Sequence, residues 1–318
     1  MARADLLLDL VQAERMGDKD RFRVLVEAVI AEERANQHHL LADRLSEIIT
    51  TSGKGAARDD RAAAMRDLVE EIVPRKTLDE LELAPIPGRV IAEIVEEQKR
   101  SELLRSYGIE PRNRILLSGP PGNGKTSVAE AIATELMLPL YVIRYEGVVS
   151  SFLGETAARL DSAFEFARSR RCVFFFDELD TIAKERADEH ETGEIKRVVS
   201  TLLLQIDRLP AHVVLVGATN HSELLDRAAW RRFQVRAELE APSRAQATKY
   251  LEDLAGRFGG DLGFAPRTLA DKLAGASFAE LEEFALDVRR RAVLQLPDTD
   301  LRTIVKERVE HWRSQAAE

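Results

Sequence analysis

One octapeptide, set between a strand-like run and a helix-like run, leaves this chain few folds to choose from. Gly119-Pro120-Pro121-Gly122-Asn123-Gly124-Lys125-Thr126 follows the apolar residues 115–117 and precedes a helical pattern over 127–136. In that setting G-x-x-x-x-G-K-[ST] is a phosphate-binding loop. Glycines let the backbone curl until its N–H groups point inward at phosphate oxygens, and the helix N-terminus adds its dipole at the same spot. Pro121, Gly122, Asn123, Gly124, Lys125, Thr126 and Ser127 are therefore candidate contacts for ATP. Lys125 is expected to reach the β- and γ-phosphates, and the Thr126 hydroxyl to ligate Mg²⁺.

The rest of the chain supplies a matching framework. Residues 115–117, 140–143, 173–176 and 213–216 are short apolar runs separated by helix-length segments. Runs of this kind are buried on both faces, which predicts a parallel sheet covered by helices. A weaker alternation at Val235, Ala237 and Leu239 predicts a fifth strand. The third run, Cys172-Val173-Phe174-Phe175-Phe176, ends in Asp177-Glu178-Leu179-Asp180. Acids at the carboxyl end of a strand beside a phosphate loop can organise the Mg²⁺ water shell, the role expected of Asp177. Glu178 can then orient and deprotonate the water that attacks the γ-phosphate. Asp180 reads as mostly structural.

Flanking patterns divide the chain. Phe22, Leu25, Val26, Val29 and Ile30 share one helical face, Leu41, Leu45, Ile48 and Ile49 another, and Leu6, Leu7, Leu10 and Val11 suggest a third. Residues 1–50 thus read as a small helical N-terminal domain. Residues 51–74, with Thr50-Thr51-Ser52-Gly53-Lys54-Gly55 at their start, read as a linker. Residues 75–241 read as the α/β nucleotide-binding core and 242–318 as a helical C-terminal piece, where Tyr250, Leu251, Leu254 and Phe258, then Leu281, Phe284, Ala285 and Val288, fall at helical spacing.

Composition excludes several alternatives. The 318 residues suit about two domains, and the 45% hydrophobic and 32% charged balance is that of a globular chain. No apolar run approaches the ~20 residues that span a bilayer, so no membrane role is expected. A single cysteine, Cys172, excludes an internal disulfide framework and suits a reducing, cytoplasmic setting. With 55 acidic and 46 basic residues the net charge is −9, which disfavours a protein that wraps nucleic acid. The six histidines have no metal-ligand spacing, and no H-E-x-x-H peptidase motif occurs.

Taken in order, these motifs resemble the AAA+ ATPases, and within them the AAA clade of katanin, spastin and the bacterial ATPase–proteases. The resemblance covers roughly residues 75–318. It implies a P-loop NTPase core with a five-stranded parallel sheet, a helical C-terminal lid over residues 242–318, and a small helical N-terminal domain over residues 1–50 that recruits substrate or partner, or else a bundle that only aids ring assembly. Val213-Val214-Leu215-Val216-Gly217-Ala218-Thr219-Asn220 is similar to the strand that ends in the family's sensor residue, which would be Asn220. Leu224-Leu225-Asp226-Arg227-Ala228-Ala229-Trp230-Arg231-Arg232-Phe233 resembles the second region of homology, and Arg231 and Arg232 fall where the family carries arginine fingers. Its R-R-F is shorter than the common R-P-G-R-F-D and leaves open which arginine dominates. A finger acts on a neighbouring subunit, so the resemblance implies a ring, usually a hexamer.

Gly147-Val148-Val149-Ser150-Ser151-Phe152-Leu153-Gly154-Glu155-Thr156 resembles a first pore loop, with Phe152 and Leu153 gripping a polypeptide substrate. The charged residues 184–196 read as a second pore loop or an exposed loop. Gly275-Ala276-Ser277-Phe278-Ala279-Glu280-Leu281 is similar to the lid helix start near adenine, where Gly275 and Ala276 would admit the base; residues 81–85 should also meet it but depart from the usual D-I-x-G. The implied function is an ATP-hydrolysing motor that unfolds or disassembles proteins by threading them through the ring. A separately encoded, subtilisin-like protease is a further partner that the resemblance allows. The alternatives are a DNA-directed initiator or loader, disfavoured by the acidity and the pore aromatic, and a nucleotide-dependent scaffold, disfavoured by an intact Glu178.

Overall fold

The computed structural model describes residues 19–35, 38, 41–46, 68–143, 153–180, 193–225, 227–257, 262–297 and 299–315. Helix α1 (Lys19–Ala35) opens this part, with a short helical segment at 41–46. Val26 and Ile30 pack with Ala42, and Phe22 and Leu45 lie against them; helical spacing alone does not single out Ala42. The expected helix around Leu6 to Val11, the positions Ile48 and Ile49, and the linker at 50–55 lie outside the described residues.

The core alternates strands and helices. In chain order come β1 (Val69–Ile72), α2 (Pro85–Lys99), α3 (Ser101–Ser106), β2 (Arg114–Ser118), α4 (Lys125–Leu136) and β3 (Leu140–Ile143). They are followed by α5 (Leu153–Arg168), β4 (Cys172–Phe176), α6 (Gly193–Asp207), β5 (Val213–Thr219), α7 (Arg227–Trp230) and β6 (Val235–Glu238). The sheet order is β1-β3-β4-β5-β2-β6. Strands β3, β4, β5, β2 and β6 are parallel, and they are the five expected from the apolar runs.

The sixth strand is a correction. Val69-Glu70-Glu71-Ile72 pairs antiparallel with β3, from Val69 opposite Ile143 to Ile72 opposite Leu140. The sheet therefore begins inside the segment read as linker. An edge strand needs only a half-buried face, so two consecutive acids can sit in it and hide the strand signal; Glu70 and Glu71 are exposed and Val69 is buried.

Alternation along the central strands fills both faces. Leu116, Phe174, Phe176 and Leu215 face Leu160 and Phe164 of α5 and Leu202 and Ile206 of α6. Ile115, Leu117, Val173, Phe175 and Val214 face Ile91 and Ile94 of α2 and Val128 and Ile132 of α4. Burial of this kind contributes roughly 25 cal/mol per Å² of apolar surface, and it forces β2 into the interior, where its carboxyl end carries the phosphate loop.

Four helices build the lid: α8 (Arg244–Arg257), α9 (Pro266–Lys272), α10 (Phe278–Leu294) and α11 (Leu301–Gln315). Leu251, Leu254, Leu269, Leu281, Phe284 and Val305 form its own core. Ser277 and Glu280 make a capping box at the start of α10, the Ser277 N–H donating to Glu280 Oε2 at 2.7 Å. No described helix is long and apolar enough to cross a membrane.

The packing is tightest where β5 passes under Leu179 and Phe233. A Cβ added to Gly217 would stand 2.3 Å from Leu179 Cδ1 and 2.9 Å from Phe233 Cζ. Gly217→Ala is expected to lower the unfolding free energy by about 1–3 kcal/mol through overpacking. A urea midpoint equal to that of the parent would show that this face is loosely packed.

Candidate nucleotide site

The phosphate loop is held from two sides. Gly119 has φ +135°, and an added Cβ would stand 2.1 Å from the Leu239 carbonyl oxygen, because the loop runs against the residue that extends β6. Gly122 has φ +76°, and its Cβ would meet Ser277 Oγ at 2.7 Å. Only glycine tolerates both the left-handed backbone and that proximity. On the lid side the Ala279 N–H donates to the Gly122 carbonyl at 3.0 Å, so the start of α10 rests on the loop itself.

A cavity of about 410 Å³ opens over this loop, within the range of small-ligand sites. Pro121, Gly122, Asn123, Gly124, Lys125, Thr126 and Ser127 line it, together with Asp177, Glu178 and Asn220. The fold thus brings the loop, the acidic strand end and the fourth-run asparagine to one place. The Lys125 ammonium donates to the carbonyls of Gly119 (2.7 Å) and Pro120 (2.9 Å). Burial pushes its pKa below the ordinary lysine value, and the carboxylates of Asp177 and Asp180 oppose that shift. A polyphosphate in the cavity would favour the charged ammonium further.

The acids take distinct environments. Glu178 has φ +53°, an uncommon conformation for a non-glycine residue, and its N–H donates to Asp177 Oδ1 at 2.9 Å. Strained backbone of this type is found where a side chain must be aimed. Asp180 is 4% exposed and accepts from Thr219 Oγ1 at 3.0 Å, with the Asn220 N–H at 3.4 Å from the same oxygen. It ties the end of β5 to the turn after β4. Asn220 Oδ1 is buried, with no hydrogen-bond partner among the described residues, and the same holds for both amide atoms of Asn123.

The far end of the cavity differs from expectation. Gly275 and Ala276 do not line it: Gly275 is exposed, and Ala276 is 4% exposed within the lid core. Phe278, Ala279 and Glu282 of α10 take that place, with Tyr250 and Arg257 of α8. Tyr250 and Phe278 meet edge to face, with ring centroids 5.1 Å apart. Burial, reinforced by the Glu282 carboxylate, raises the Tyr250 pKa. The cap residue of α10 is Ser277, so the residues that face the cavity begin at Phe278, two residues after Ala276 and three after Gly275, a shift that helical spacing alone does not reveal. Leu81 and Leu83 close the cavity opposite, as expected from residues 81–85. Lys76, Tyr250, Phe278 and Glu282 were not picked out for this site; their residue types carry no local motif.

The arginine pair lies elsewhere. Neither Arg231 nor Arg232 lines the cavity. They sit at the amino ends of the strands: Gln234 Oε1, just before β6, accepts from the N–H groups of Asn113 and Arg114 at the start of β2. The phosphate loop follows the carboxyl end of β2, so a strand of about 16 Å separates the two. Phe233, 3% exposed, plugs the sheet face and fixes the segment. Arg232 donates to Asp207 Oδ2 (3.2 Å) and the Ala228 carbonyl (2.8 Å). Arg231 is exposed, and its guanidinium has no partner among the described residues. Asp226, Phe152 and residues 181–192 lie outside the described residues, and Leu153 is the first residue of α5.

Comparison with known proteins agrees with this geometry. Residues 115–241 match the model of the ATPase family associated with various cellular activities (AAA). The chain is 34% identical over 303 residues to the uncharacterized AAA family ATPase y4kL of Sinorhizobium fredii, covering 93% of this chain and 91% of that protein. The chain belongs to the AAA family of ATPases. Its reaction is the hydrolysis of ATP. It is also 31% identical over 227 residues to a putative 26S proteasome regulatory subunit homolog of Methanothermobacter marburgensis, covering 70% of this chain and 59% of that one. The cell division cycle protein 48 homolog of Archaeoglobus fulgidus is 36% identical over 191 residues, 58% of this chain and 26% of its own length. The chain therefore spans well under two thirds of both.

Within this AAA site, Asp180→Ala would leave the buried Thr219 hydroxyl without its acceptor. It is expected to cost about 1–3 kcal/mol of stability and to slow ATP hydrolysis by loosening Asn220. Unchanged denaturation and turnover would show that Asp180 holds nothing in place.

Proposed function

We propose that this AAA ATPase is a ring-forming motor that remodels protein substrates, and that each site is completed by Arg231 of a neighbouring copy. The observation that carries this reading is the position of the arginine pair at the amino ends of β2 and β6, away from the cavity of its own chain. Charge that builds on the transferred phosphoryl group needs a guanidinium, and in related phosphoryl-transfer sites one is worth roughly 10³–10⁵ in rate. Lys125, Lys76 and Arg257 are the cavity-lining cations of this chain, and Arg257 stands over the Tyr250 ring at the apolar end; an arginine from a partner would supply the guanidinium at the γ-phosphate end. Arg231 is free to reach out, whereas Arg232 is held by Asp207 and Ala228 and so positions the segment.

In the complete site the loop N–H groups and Lys125 hold the β- and γ-phosphates. Glu178, aimed by its left-handed backbone, takes the proton of the attacking water. Asn220 orients that water or the γ-phosphate with its unpaired Oδ1 and amide. The hydroxyl of Thr126 and the carboxylate of Asp177 line the same cavity, and hard oxygen donors of this kind fit Mg²⁺. Bound there, Mg²⁺ neutralises charge on the β- and γ-phosphate oxygens.

The protein-directed part of the reading rests on names and on sequence. The proteasome regulatory and cell division cycle relatives support a protein substrate, and Phe152-Leu153 supports a threading grip on a polypeptide. The ring is taken to be a hexamer in the cytoplasm, and a separately encoded subtilisin-like protease is the partner it could feed. The lid contact at Gly122 supports coupling: hydrolysis that shifts the loop must also shift α10.

Mixed assemblies test the shared site. Glu178→Gln chains retain Arg231 but lack the base, and Arg231→Ala chains retain the base but lack the finger. Mixing the two is expected to restore ATP hydrolysis well above either alone, while Arg232→Ala loses less than Arg231→Ala. Absence of any complementation would remove the intersubunit arginine.

A further inference from the structure

The segment between β1 and α2, residues 73–84, crosses the mouth of the cavity and is fastened at both ends. At one end Glu130 Oε1, on α4, accepts from the N–H groups of Arg75 (2.9 Å) and Lys76 (3.2 Å). At the other the Glu82 carbonyl accepts from Gln246 Nε2 of α8 at 3.0 Å, and its carboxylate pairs with Lys249 at 2.5 Å. Between the two, Thr77 and Glu80 close a capping box, the Thr77 N–H donating to Glu80 Oε2 at 2.8 Å. The segment is thus a fixed bridge from the helix of the phosphate loop to the lid.

Lys76 stands on that bridge with its side chain at the first turn of α4. Its ammonium donates to Ser127 Oγ at 2.8 Å, and it lines the cavity. Residues two apart on a helix point about 200° from each other. Lys125 and Ser127 therefore face opposite ways, and Lys76 approaches the helix N-terminus from the side that Lys125 does not serve. The lining residues also order a nucleotide along the cavity. Asp177, Glu178 and Asn220 mark the γ-phosphate end, while Leu81, Leu83, Tyr250 and Phe278 make the apolar end suited to a base. Lys76 touches Ser127 beside the loop and lines the cavity on the same segment as Leu81, which puts its ammonium on the stretch of the site that runs from the phosphates toward the base. An exposed ammonium whose only described partner is a neutral hydroxyl gains a charge-assisted bond when an anion arrives.

We propose that Lys76 is a second phosphate-binding cation of this site: on nucleotide binding its ammonium exchanges the Ser127 hydroxyl for the α-phosphate and anchors the bridge to the occupied site. The inference rests on the reading of the loop as a nucleotide site, and it goes beyond it by naming the α-phosphate partner. Because the bridge also holds the lid through Glu82, occupancy of the α-phosphate position would be transmitted to α8 by ADP as well as by ATP.

The test is calorimetric titration of the full chain with ADP and with a non-hydrolysable ATP analogue, using Lys76→Met and Lys76→Arg. Lys76→Met is expected to weaken both ligands by the same factor, about tenfold, with the melting temperature of the nucleotide-free chain unchanged and Lys76→Arg recovering most of the loss. Equal losses in the Met and Arg variants would assign Lys76 to docking the bridge and overturn the proposal. A loss confined to the ATP analogue would move its contact to the γ-phosphate, and no loss would remove the contact; both contradict it. A parent chain that binds neither ligand would instead sink the nucleotide-site reading itself, and the proposal with it.

Discussion

The fold turns on one constraint: a loop of backbone N–H groups must stay curled around empty space, and neighbouring elements have to hold it there. Gly119 is pressed against the Leu239 carbonyl and Gly122 against Ser277. The first contact requires β6 to lie beside β2, and the second requires the lid helix α10 to rest on the loop. Sheet order and lid placement are therefore both expressed at the phosphate site. The same contacts make the loop a mechanical junction, because a ligand that shifts it by a fraction of an ångström acts on two packed elements that cannot deform continuously.

Polar connections around the cavity extend that junction. Asp180 links the turn after β4 to Thr219 and Asn220 at the end of β5. Glu130 and Glu82 link the bridge segment to α4 and α8. Glu178, the proposed general base, sits between these fixed points on a strained backbone. At the opposite end of the sheet, Phe233 and Asp207 hold the arginine segment, so the sheet separates the site of a protomer from the arginine proposed to serve its neighbour. A ring of such protomers would pass strain from site to site through the sheet.

Much of this was legible in the residues, for identifiable reasons. Strands β2 to β5 announced themselves because strands buried on both faces are almost wholly apolar, and β6, at the sheet edge, showed as an alternation because only one of its faces is buried. The phosphate loop and Asp177-Glu178 announced themselves because their chemistry admits few residue types. Strand β1 did not, because an edge strand tolerates Glu70 and Glu71. The lid side of the cavity was placed two or three residues early, at Gly275 and Ala276, since a helical pattern gives the face but not the cap that decides where the helix begins. Lys76 left no trace at all: its importance comes from Glu130, 54 residues away, holding its backbone over the helix. Contacts between distant segments are what a local pattern cannot contain.

The claim that one protomer completes the site of the next is tested most directly by measuring ATP turnover per protomer across a dilution series while sedimentation velocity follows the assembly state. The account predicts that turnover collapses over the concentration range in which the assembly dissociates to monomers. Material that sediments strictly as a monomer and still hydrolyses ATP at the full rate would contradict it.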